Sequence, residues 1–259
     1  MGQINIKTYV INLPKDTDRR ISIEKELNKI PCLDTEFIDA VYGKELGKDR
    51  LDKLFDFNKC KNYKSTDPTL GEVGCTLSHY ACYKKLLASD LNYALIVEDD
   101  TGFIGNGPFD ELLKKAIQYV ESEKPVVLQL FSFFDYLGKG LSFNDEYKVY
   151  KAYKSALTTI YLINKQAARL IVSEGLPYWI ADDWSLFRRK GICVYALHPS
   201  FIYHKDDETS SIGWSDRKKR TLRIPRSWME FRFLADEGFR IVLKKLGIMK
   251  HKEYIHYRE

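Results

Sequence analysis

Three consecutive acidic residues, Glu98-Asp99-Asp100, follow directly after the short apolar run Tyr93-Ala94-Leu95-Ile96-Val97. Neighbouring carboxylates repel one another and are costly to bury in a core. Ligands of open α/β sheets bind at the carboxyl ends of strands, and two carboxylates at positions i and i+2 there can bind a hard divalent cation through oxygen. The triplet therefore predicts a cation site, with Glu98 and Asp100 as ligands, that could neutralise a diphosphate leaving group. A solvated turn after a strand is the alternative interpretation.

A glycine-containing segment, Gly71-Glu72-Val73-Gly74, precedes a run with helical spacing that begins at Cys75. Glycines let the backbone pass close to a ligand, and the amides at a helix start favour anions. We therefore predict that Gly74, Ser78 and His79 lie at a ligand site. Adjacent helical residues point in different directions, so the Ser-His pair does not indicate a hydrolytic triad. For His79, a capping or core role is equally consistent with the sequence.

A second acidic pair, Asp182-Asp183, lies between Tyr178-Trp179 and Trp184. Carboxylates flanked by aromatic rings suit a sugar-binding cleft, so we predict that these three aromatic residues contact an acceptor sugar. One of the two carboxylates could be the general base for an acceptor hydroxyl. Because Asp is also a favoured helix N-cap, one aspartate could cap a helix while the other does the chemistry.

Basic side chains complete the set of candidate residues. Arg19-Arg20 follow the first predicted strand and could contact phosphate through their guanidinium groups, although a solvated helix face is the competing interpretation. His204 follows the strand-like run Phe201-Ile202-Tyr203 and could complete a metal site or contact phosphate.

The hydrophobic pattern predicts the elements that must position these residues. Short β-rich runs predict strands at 7–13, 37–41, 93–97, 126–131, 157–163 and 194–197, and helical spacing predicts helices at 16–30, 50–55, 71–89, 111–123 and 165–174. This alternation favours an α/β sheet. The stretch 141–154 predicts a loop and an edge strand.

The composition is that of an ordinary soluble globular protein, with 259 residues of which 44% are hydrophobic and 30% are charged. No run approaches the roughly 18 apolar residues of a membrane span, and the first eight residues do not resemble a secretory signal. The five cysteines are odd in number and form no CxxC pair, so we expect buried, inert thiols rather than disulfides or a zinc ribbon. A cytoplasmic protein is therefore expected.

The charge is unevenly distributed. Residues 217–259 contain 13 Lys/Arg and 5 Asp/Glu, whereas residues 1–216 have a net charge of −3. Aromatic residues interleave with the basic ones, which predicts a partly amphipathic helical segment that contacts an anionic membrane at the inner face of the cytoplasmic membrane. No nucleic-acid recognition element is evident, so nucleic acid is not expected as a partner.

Taken in order, the motifs resemble those of glycosyltransferase family 25, the bacterial lipooligosaccharide and capsule β-1,4-galactosyltransferases. The resemblance covers roughly residues 7–213. Its four segments are Val10-Ile11-Asn12-Leu13 with Arg19-Arg20, Gly71 to His79, Ala94 to Asp100, and Asp182-Asp183-Trp184 leading into Pro199 and Ser210-Ser211-Ile212.

The resemblance implies a GT-A-like α/β domain over residues 1–216, with a mixed central sheet flanked by helices; beyond about residue 216 it fades, and the basic helical segment 217–259 is predicted from charge alone. The resemblance also implies Mn²⁺ or Mg²⁺, a UDP-sugar donor such as UDP-galactose, and a saccharide or lipid-linked saccharide acceptor of surface-glycan synthesis. By resemblance, inverting transfer would use Asp183 as the base, with Asp182 as the alternative, and Glu98 and Asp100 as metal ligands; His204 is a candidate metal ligand from its residue type alone. The donor-binding residues that it implies are Asn12, Leu13, Arg19, Arg20, Gly74, Ser78, His79 and Asp99.

Two other classes of function compete with this interpretation. A metal-dependent phosphohydrolase would use the same acidic cluster, but it needs further His and Asp ligands at ordered spacing, and the five histidines are scattered. A non-catalytic sugar-nucleotide or carbohydrate-binding protein is the third class, which turnover of a nucleotide sugar would distinguish.

Overall fold

The computed structural model describes residues 5–64, 67–205 and 227–253. Its helices are α1 Thr17–Leu27, α2 Lys48–Leu54, α3 Phe57–Lys64, α4 Leu70–Ala88, α5 Phe109–Val120, α6 Lys165–Val172, α7 Trp184–Arg189 and α8 Trp228–Lys245. Its strands are β1 Ile6–Asn12, β2 Leu33–Asp39, β3 Tyr93–Glu98, β4 Thr101–Phe103, β5 Val126–Gln129, β6 Phe134–Leu137, β7 Leu141–Ser142, β8 Lys148–Ser155, β9 Ile160–Asn164, β10 Cys193–His198, β11 Ile202–His204 and β12 Met249–Lys252.

A mixed ten-stranded sheet forms the centre of the molecule, in the order β12-β6-β8-β10-β5-β9-β3-β1-β2, with β7 paired to β8. Strands β2, β1 and β3 run parallel, β9 runs antiparallel between β3 and β5, and β10 is parallel to β5. A separate small sheet pairs β4 with β11. The predicted α/β class, a mixed central sheet flanked by helices, is confirmed.

Each face of the sheet has its own hydrophobic core, because successive strand residues point to opposite sides. In β1, Tyr9 and Ile11 pack with buried residues of α4 and α6 on one face, whereas Val10 packs with buried residues of α1 and α5 on the other. The strands of this three-layer arrangement are nearly continuous apolar runs because both faces are covered.

Two segments differ from their predicted structure. Strand β8, expected at an edge, lies inside the sheet between β6 and β10. The polar stretch after residue 44 contains α3 as well as α2, because Cys60 and Tyr63 are buried on one side of α3. These two buried positions are surrounded by polar residues, so the hydrophobic periodicity of α3 is too weak for the helix to be recognised from its sequence.

The C-terminal segment is more firmly attached than the expected boundary at residue 217 implies. Its helix α8 confirms the helical prediction, but β12 extends the central sheet by pairing with β6. Asp236 of α8 binds Arg188 and Arg189 at 2.9 Å each, and Glu237 binds Lys154 at 2.8 Å. Residues 227–253 therefore belong to the same folded unit as the rest, whereas the basic run 217–226 lies outside the described residues.

A buried aspartate of β6, Asp135, joins the sheet to this segment. It is 3% exposed and contacts Arg240 Nη1 at 2.7 Å, Lys244 Nζ at 2.6 Å and His251 Nδ1 at 2.6 Å. Burial opposes its ionisation, but the hydrogen bonds from Lys244, Arg240 and His251 outweigh burial and hold the pKa of Asp135 below its usual value.

Replacing this carboxylate should loosen the C-terminal segment. We expect Asp135→Asn to lower the free energy of unfolding by about 3 kcal/mol, the range found when one partner of a buried ion pair is removed. Urea unfolding measures it. Asp34→Asn is the matched control, since that half-exposed carboxylate pairs with Lys7 at the surface and should cost less than about 1 kcal/mol. Equal losses in the two variants would contradict the role given to Asp135.

The same contact predicts how stability depends on pH. Because the pKa of Asp135 is lowered on folding, its contribution is present above the unfolded value of about 3.9 and is lost as the pH falls through the folded pKa. We expect the unfolding free energy of the wild type to fall more steeply than that of Asp135→Asn on acidification below about pH 4. Parallel curves for the two proteins would contradict this.

Candidate functional site

A cleft opens where the parallel strands β1 and β3 end side by side, with Ile11 paired to Glu98. It contains about 810 Å³ of space, which includes open solvent at its mouth. The residues around it come from the end of β1, the 40–43 segment, α4, the end of β3 and the end of β11; they are Ile11, Leu13, Arg19, Ala40, Val41, Tyr42, Gly43, Gly71, Cys75, Ser78, His79, Glu98, Asp99, Asp100, His204 and Lys205.

Asp99, the middle residue of the acidic triplet, is bound to the first βα segment. Its carboxylate accepts a hydrogen bond from Asn12 Nδ2 at 2.8 Å and pairs with Arg19 Nη1 at 3.1 Å. Burial raises the pKa of Asp99 to about 6, although Arg19 and Asn12 partly offset the shift. Asn12 is itself 3% exposed, so it acts on the site through Asp99, whereas Leu13 lines the cleft directly.

Asp100 lies at the base of the cleft between two cationic side chains. Its Oδ2 is 3.0 Å from Arg19 Nη2 and 3.1 Å from His204 Nε2. Burial opposes its ionisation, but His204 and Arg19 outweigh burial and hold the pKa of Asp100 below its usual value. Among the described residues, no hydrogen-bond partner reaches its buried Oδ1. A buried carboxylate oxygen of this kind is suited to receive a ligand.

Glu98 is oriented by two neighbours, His79 and Thr158. Its Oε1 lies 2.9 Å from His79 Nε2 and accepts a 2.5 Å hydrogen bond from the Thr158 hydroxyl. His79 Nδ1 in turn lies 2.8 Å from the Tyr161 hydroxyl. His79 is buried, with 1% of its surface exposed, as the core alternative predicted. It also lines the cleft, as the ligand-site prediction expected.

Thr158 is held in place by a strained turn. Leu157 has a φ of +74°, a conformation that costs a non-glycine residue free energy and persists only where its surroundings enforce it. Here its carbonyl accepts hydrogen bonds from Gln129 Nε2 at 3.0 Å and Trp184 Nε1 at 2.8 Å. These contacts fix the turn that brings Thr158 to Glu98.

The start of α4 positions one wall of the cleft. Thr69 and Glu72 form a capping box that begins the helix. Ser78 Oγ accepts a hydrogen bond from the Val41 amide at 2.9 Å. A Cβ on Gly74 would lie 2.4 Å from the Val41 carbonyl oxygen, so Gly74 serves close packing of the helix against the 40–43 segment. Its prediction as a donor-binding residue is corrected accordingly, because it does not itself line the cleft.

The triplet offers ligands that suit a hard cation. Glu98 and Asp100 supply carboxylate oxygens, one of them the buried Asp100 Oδ1, and His204 supplies an imidazole nitrogen bound to the same carboxylate. Carboxylate oxygens are the donors that Mg²⁺ and Mn²⁺ prefer. The donor types of Glu98 and Asp100 therefore suit the predicted cation, although the set whose ligand atoms lie within 4.8 Å of one another among the described residues is Cys75, His79 and Glu98.

The two aspartates at the start of α7 point in different directions. Asp183 is 7% exposed; its Oδ1 accepts a hydrogen bond from the Tyr63 hydroxyl at 3.2 Å, and its Oδ2 lies 3.1 Å from Lys64 Nζ. It faces α3 and is not among the lining residues. Asp182 is half-buried and close enough to Cys75 for its charge to add to the effect of burial in raising the pKa of that thiol. Asp182 is not among the lining residues either, so the choice of base between the two stays a prediction.

The predicted acceptor-binding aromatics are part of the core. Tyr178, Trp179 and Trp184 are 0%, 1% and 1% exposed, and they pack edge-on against other rings. No ring face is left for a sugar. Their prediction is wrong because aromatic residues next to carboxylates are also what a buried helix start contains, and the sequence does not separate the two.

The side chains of the two arginines of α1 also point in different directions. Arg19 reaches the acidic triplet, whereas Arg20 is exposed and stacks over the Phe37 ring at 4.1 Å. The prediction of Arg20 as a donor-binding residue is therefore corrected, because one helical position turns its side chain about 100° away from that of Arg19.

Sequence reasoning missed several residues at the site. All five cysteines are free thiols, as expected, but Cys75 lines the cleft and is not simply a buried, inert thiol. Thr158 and Tyr161 were missed because they carry no motif, and only the sheet brings them beside Glu98 and His79. Lys205 lines the cleft as well, and its position next to His204 was the one signal that could have identified it.

Comparison with known proteins agrees with these motifs. The family model described as "Glycosyltransferase family 25 (LPS biosynthesis protein)" matches residues 5–184. "Procollagen galactosyltransferase 2" of Mus musculus is 27% identical over 82% of this chain and 39% of its own length. A "Glycosyltransferase 25 family member" of Aedes aegypti is 35% identical over 37% of this chain and 16% of its own length. The chain thus spans well under half of the length of these relatives.

Solved structures are more distant. The "UTP-bound UGPase" from Acinetobacter baumannii has a TM-score of 0.40 and 10% sequence identity, covering 74% of this chain and 85% of that one.

Proposed function

The chain belongs to glycosyltransferase family 25, and from this premise we propose that it transfers a hexose, galactose from UDP-galactose, to a saccharide acceptor with inversion. The observation that carries the proposal is the placement of Glu98 and Asp100 on one cleft at the ends of β1 and β3. The relatives named as galactosyltransferases support the choice of sugar. We also propose that the acceptor belongs to a surface glycan under synthesis.

The proposed binding mode follows from the chemistry around the cleft. Apolar and aromatic groups at Leu13 and Tyr42 suit the nucleobase, and the basic groups of Arg19 and Lys205 suit the diphosphate. Arg19 is held by Asp99 and Asp100, so its charge is oriented before the donor binds. Preorganised charges of this kind stabilise a leaving group without reorganisation during the reaction.

Glu98, Asp100 and His204 would hold the cation, Mn²⁺ or Mg²⁺, which when bound supplies positive charge to the diphosphate. The chain's own part is to orient those ligands. His79 and Thr158 fix Glu98, and Arg19 pairs with Asp100.

We propose Asp182 as the general base. It would take the proton of the acceptor hydroxyl while that oxygen forms a bond to the anomeric carbon and the bond from this carbon to the diphosphate oxygen breaks. Its charge acts on Cys75, which lines the cleft, and its side chain is less buried than that of Asp183; these two observations support this role. Asp183 is instead assigned to stability, because it is paired with Tyr63 and Lys64.

The test is a thermal-shift panel of UDP- and GDP-sugars with and without Mn²⁺, followed by an assay of UDP release with saccharide acceptors. A ligand at 100 times its dissociation constant stabilises the native state by about 2.7 kcal/mol, so we expect UDP-galactose with Mn²⁺ to raise the melting temperature. A chelator should remove both the shift and the release of UDP. Absence of a shift with every UDP-sugar would reject the proposal, and binding without turnover would favour the non-catalytic class.

We also propose that α8 places the enzyme on an anionic membrane. Its outer face, defined by Trp228, Phe231, Phe239, Val242 and Leu246, is apolar, and each of these side chains is at least 47% exposed. Within the described residues, no helix is long and apolar enough to cross a bilayer. Contact would therefore be peripheral, in keeping with a location at the inner face of the cytoplasmic membrane.

The charges on α8 are segregated in a way that supports this contact. Its acids face the body, since Glu230 is 2% exposed and Asp236 and Glu237 are in ion pairs. Arg232 and Lys245 are exposed beside the outer face. An apolar stripe with only basic neighbours suits anionic lipid, to which each basic residue contributes about 1 kcal/mol.

Disrupting the outer face should release the protein from anionic vesicles. We expect the double variant Phe239→Ser, Val242→Ser to lower partitioning onto phosphatidylserine-containing vesicles by about tenfold or more, as measured by co-sedimentation at low and high salt. Ile21→Ser of α1 is the matched control, because it removes an apolar side chain of similar exposure, 64%, from another helix. Unchanged partitioning of the double variant would rule out this contact.

A further inference from the structure

Three side chains of different chemistry converge at the inner wall of the cleft. Cys75 Sγ, a ring nitrogen of His79 and a carboxylate oxygen of Glu98 all lie within 4.8 Å of one another. Cys75 and His79 are one helical turn apart on α4 and so share a face, and Glu98 ends β3 opposite them. All three line the cleft, so an ion can reach them from solvent.

This set differs in kind from the Glu98, Asp100 and His204 set. A thiolate with an imidazole is a soft to borderline donor pair, which favours Zn²⁺ over Mg²⁺ or Mn²⁺. Tetrahedral Zn²⁺ has bonds of about 2.0–2.3 Å and its ligand atoms lie roughly 3.3–3.8 Å apart. The observed spacing approaches this geometry, and the open cleft leaves a fourth position for water.

We infer that Cys75, His79 and Glu98 form a second cation site, selective for Zn²⁺ and similar thiophilic ions, that shares Glu98 with the proposed Mn²⁺ site. Occupation of this site withdraws Glu98 from the other ligands. Zn²⁺ is therefore an inhibitor that competes with Mn²⁺, a consequence that rests on the proposed transferase activity, whereas the binding itself does not.

The surroundings of His79 allow it to become a ligand. In the structure its Nε2 lies 2.9 Å from Glu98 Oε1, and its Nδ1 lies 2.8 Å from the Tyr161 hydroxyl, which is 2.7 Å from that of Tyr83. Either hydroxyl of this pair can be the donor. The Tyr161 hydroxyl can thus accept a hydrogen bond from Nδ1–H of His79 when Nε2 binds an ion. Metal-bound histidines use a partner of this kind on their other ring nitrogen.

The proton released when the ion binds comes from the thiol of Cys75. Burial raises the pKa of Cys75 well above its usual value, so the free protein holds this residue as S–H. When the ion binds, the sulfur–metal bond forms and the thiol proton leaves to solvent, while the imidazole proton moves from Nε2 to Nδ1. One proton per ion is released, with no oxidant or reductant involved.

Cobalt tests binding without depending on activity. Co²⁺ added to the full-length, reduced protein should give a near-ultraviolet sulfur-to-cobalt charge-transfer band that Zn²⁺ abolishes and Mg²⁺ does not. Cys75→Ser and Cys75→Ala should both lack the band while keeping the wild-type melting temperature. Cys193→Ser, which removes a similarly half-buried thiol on β10, should keep the band. Tyr161→Phe should weaken Zn²⁺ binding by about 10–100-fold.

Persistence of the band in folded Cys75 variants, or its absence from the wild type, would overturn the inference. If transferase activity is found, the Zn²⁺ concentration that halves each protein's own rate should rise at least about tenfold in Cys75→Ser and not in Cys193→Ser. If no activity is found but the band behaves as expected, the cation site stands and the proposed function fails.

Discussion

Asp100→Asn is expected to lower the rate of sugar transfer by roughly 10²–10³-fold, the range found when one preorganised electrostatic group is removed from an active site. The substitution keeps the shape of the side chain but removes the charge that pairs with Arg19 and His204. It also removes an anionic oxygen, the buried Oδ1, from the proposed cation site. The loss should therefore appear both in turnover and in the Mn²⁺ concentration needed for half-maximal rate.

Two measurements separate a loss of chemistry from a loss of folding. Asp100→Asn should melt below the wild type without ligand, because Arg19 and His204 lose their partner, and the further rise on adding UDP-galactose and Mn²⁺, measured from the variant's own melting temperature, should be much smaller. Asp110→Asn is the matched control, because this carboxylate is also held by neighbours, Lys114 and the Cys32 amide, far from the cleft lining. Full activity of Asp100→Asn would remove the basis of the assignment.

The second large effect separates Asp182 from Asp183. We expect Asp182→Asn to reduce kcat by about 10²–10⁴-fold, as for loss of a general base, with little change in stability because its carboxylate is half-buried. Asp183→Asn should instead leave Tyr63 and Lys64 without their anion and lower the free energy of unfolding by about 3 kcal/mol or more, as for a broken buried pair. Steady-state kinetics and urea unfolding of both variants measure the two effects.

The opposite pattern is equally informative. If Asp183→Asn loses turnover and keeps its stability while Asp182→Asn remains active, the base is Asp183, as the family resemblance implies. The two residues are adjacent and chemically identical, so each variant is the control of the other.

Several parts of the molecule could be predicted because their signals are local. Continuous apolar runs bounded by turn residues identify β1, β3, β5 and β9, and the triplet that follows Val97 has to lie at a strand end. The capped start of α4 was placed within a few residues. The general position of the site follows from this, since the carboxyl ends of parallel strands meet at one edge of the sheet.

Other parts depend on contacts between residues distant in sequence. Strand β12 carries the residues Met249-Lys250-His251-Lys252, which show no strand pattern, and it forms because Asp135 and the edge of β6 receive them. The boundary expected at residue 217 lies outside the described residues and stays a prediction, but net charge alone did not indicate that residues 227–253 pack against the sheet.

By itself, the sequence determined that an α/β sheet places an acidic cluster at the end of β3, because strand period and charge repulsion act over a few residues. Only the tertiary structure decided that Arg19 and not Arg20 reaches this cluster, and that Asp183 is paired with Tyr63 and Lys64. The tertiary structure also showed that Trp184 supports the turn that orients Thr158. Side-chain direction at a helix start changes by about 100° per residue, so a residue's type indicates what chemistry it can do, and packing decides where it points.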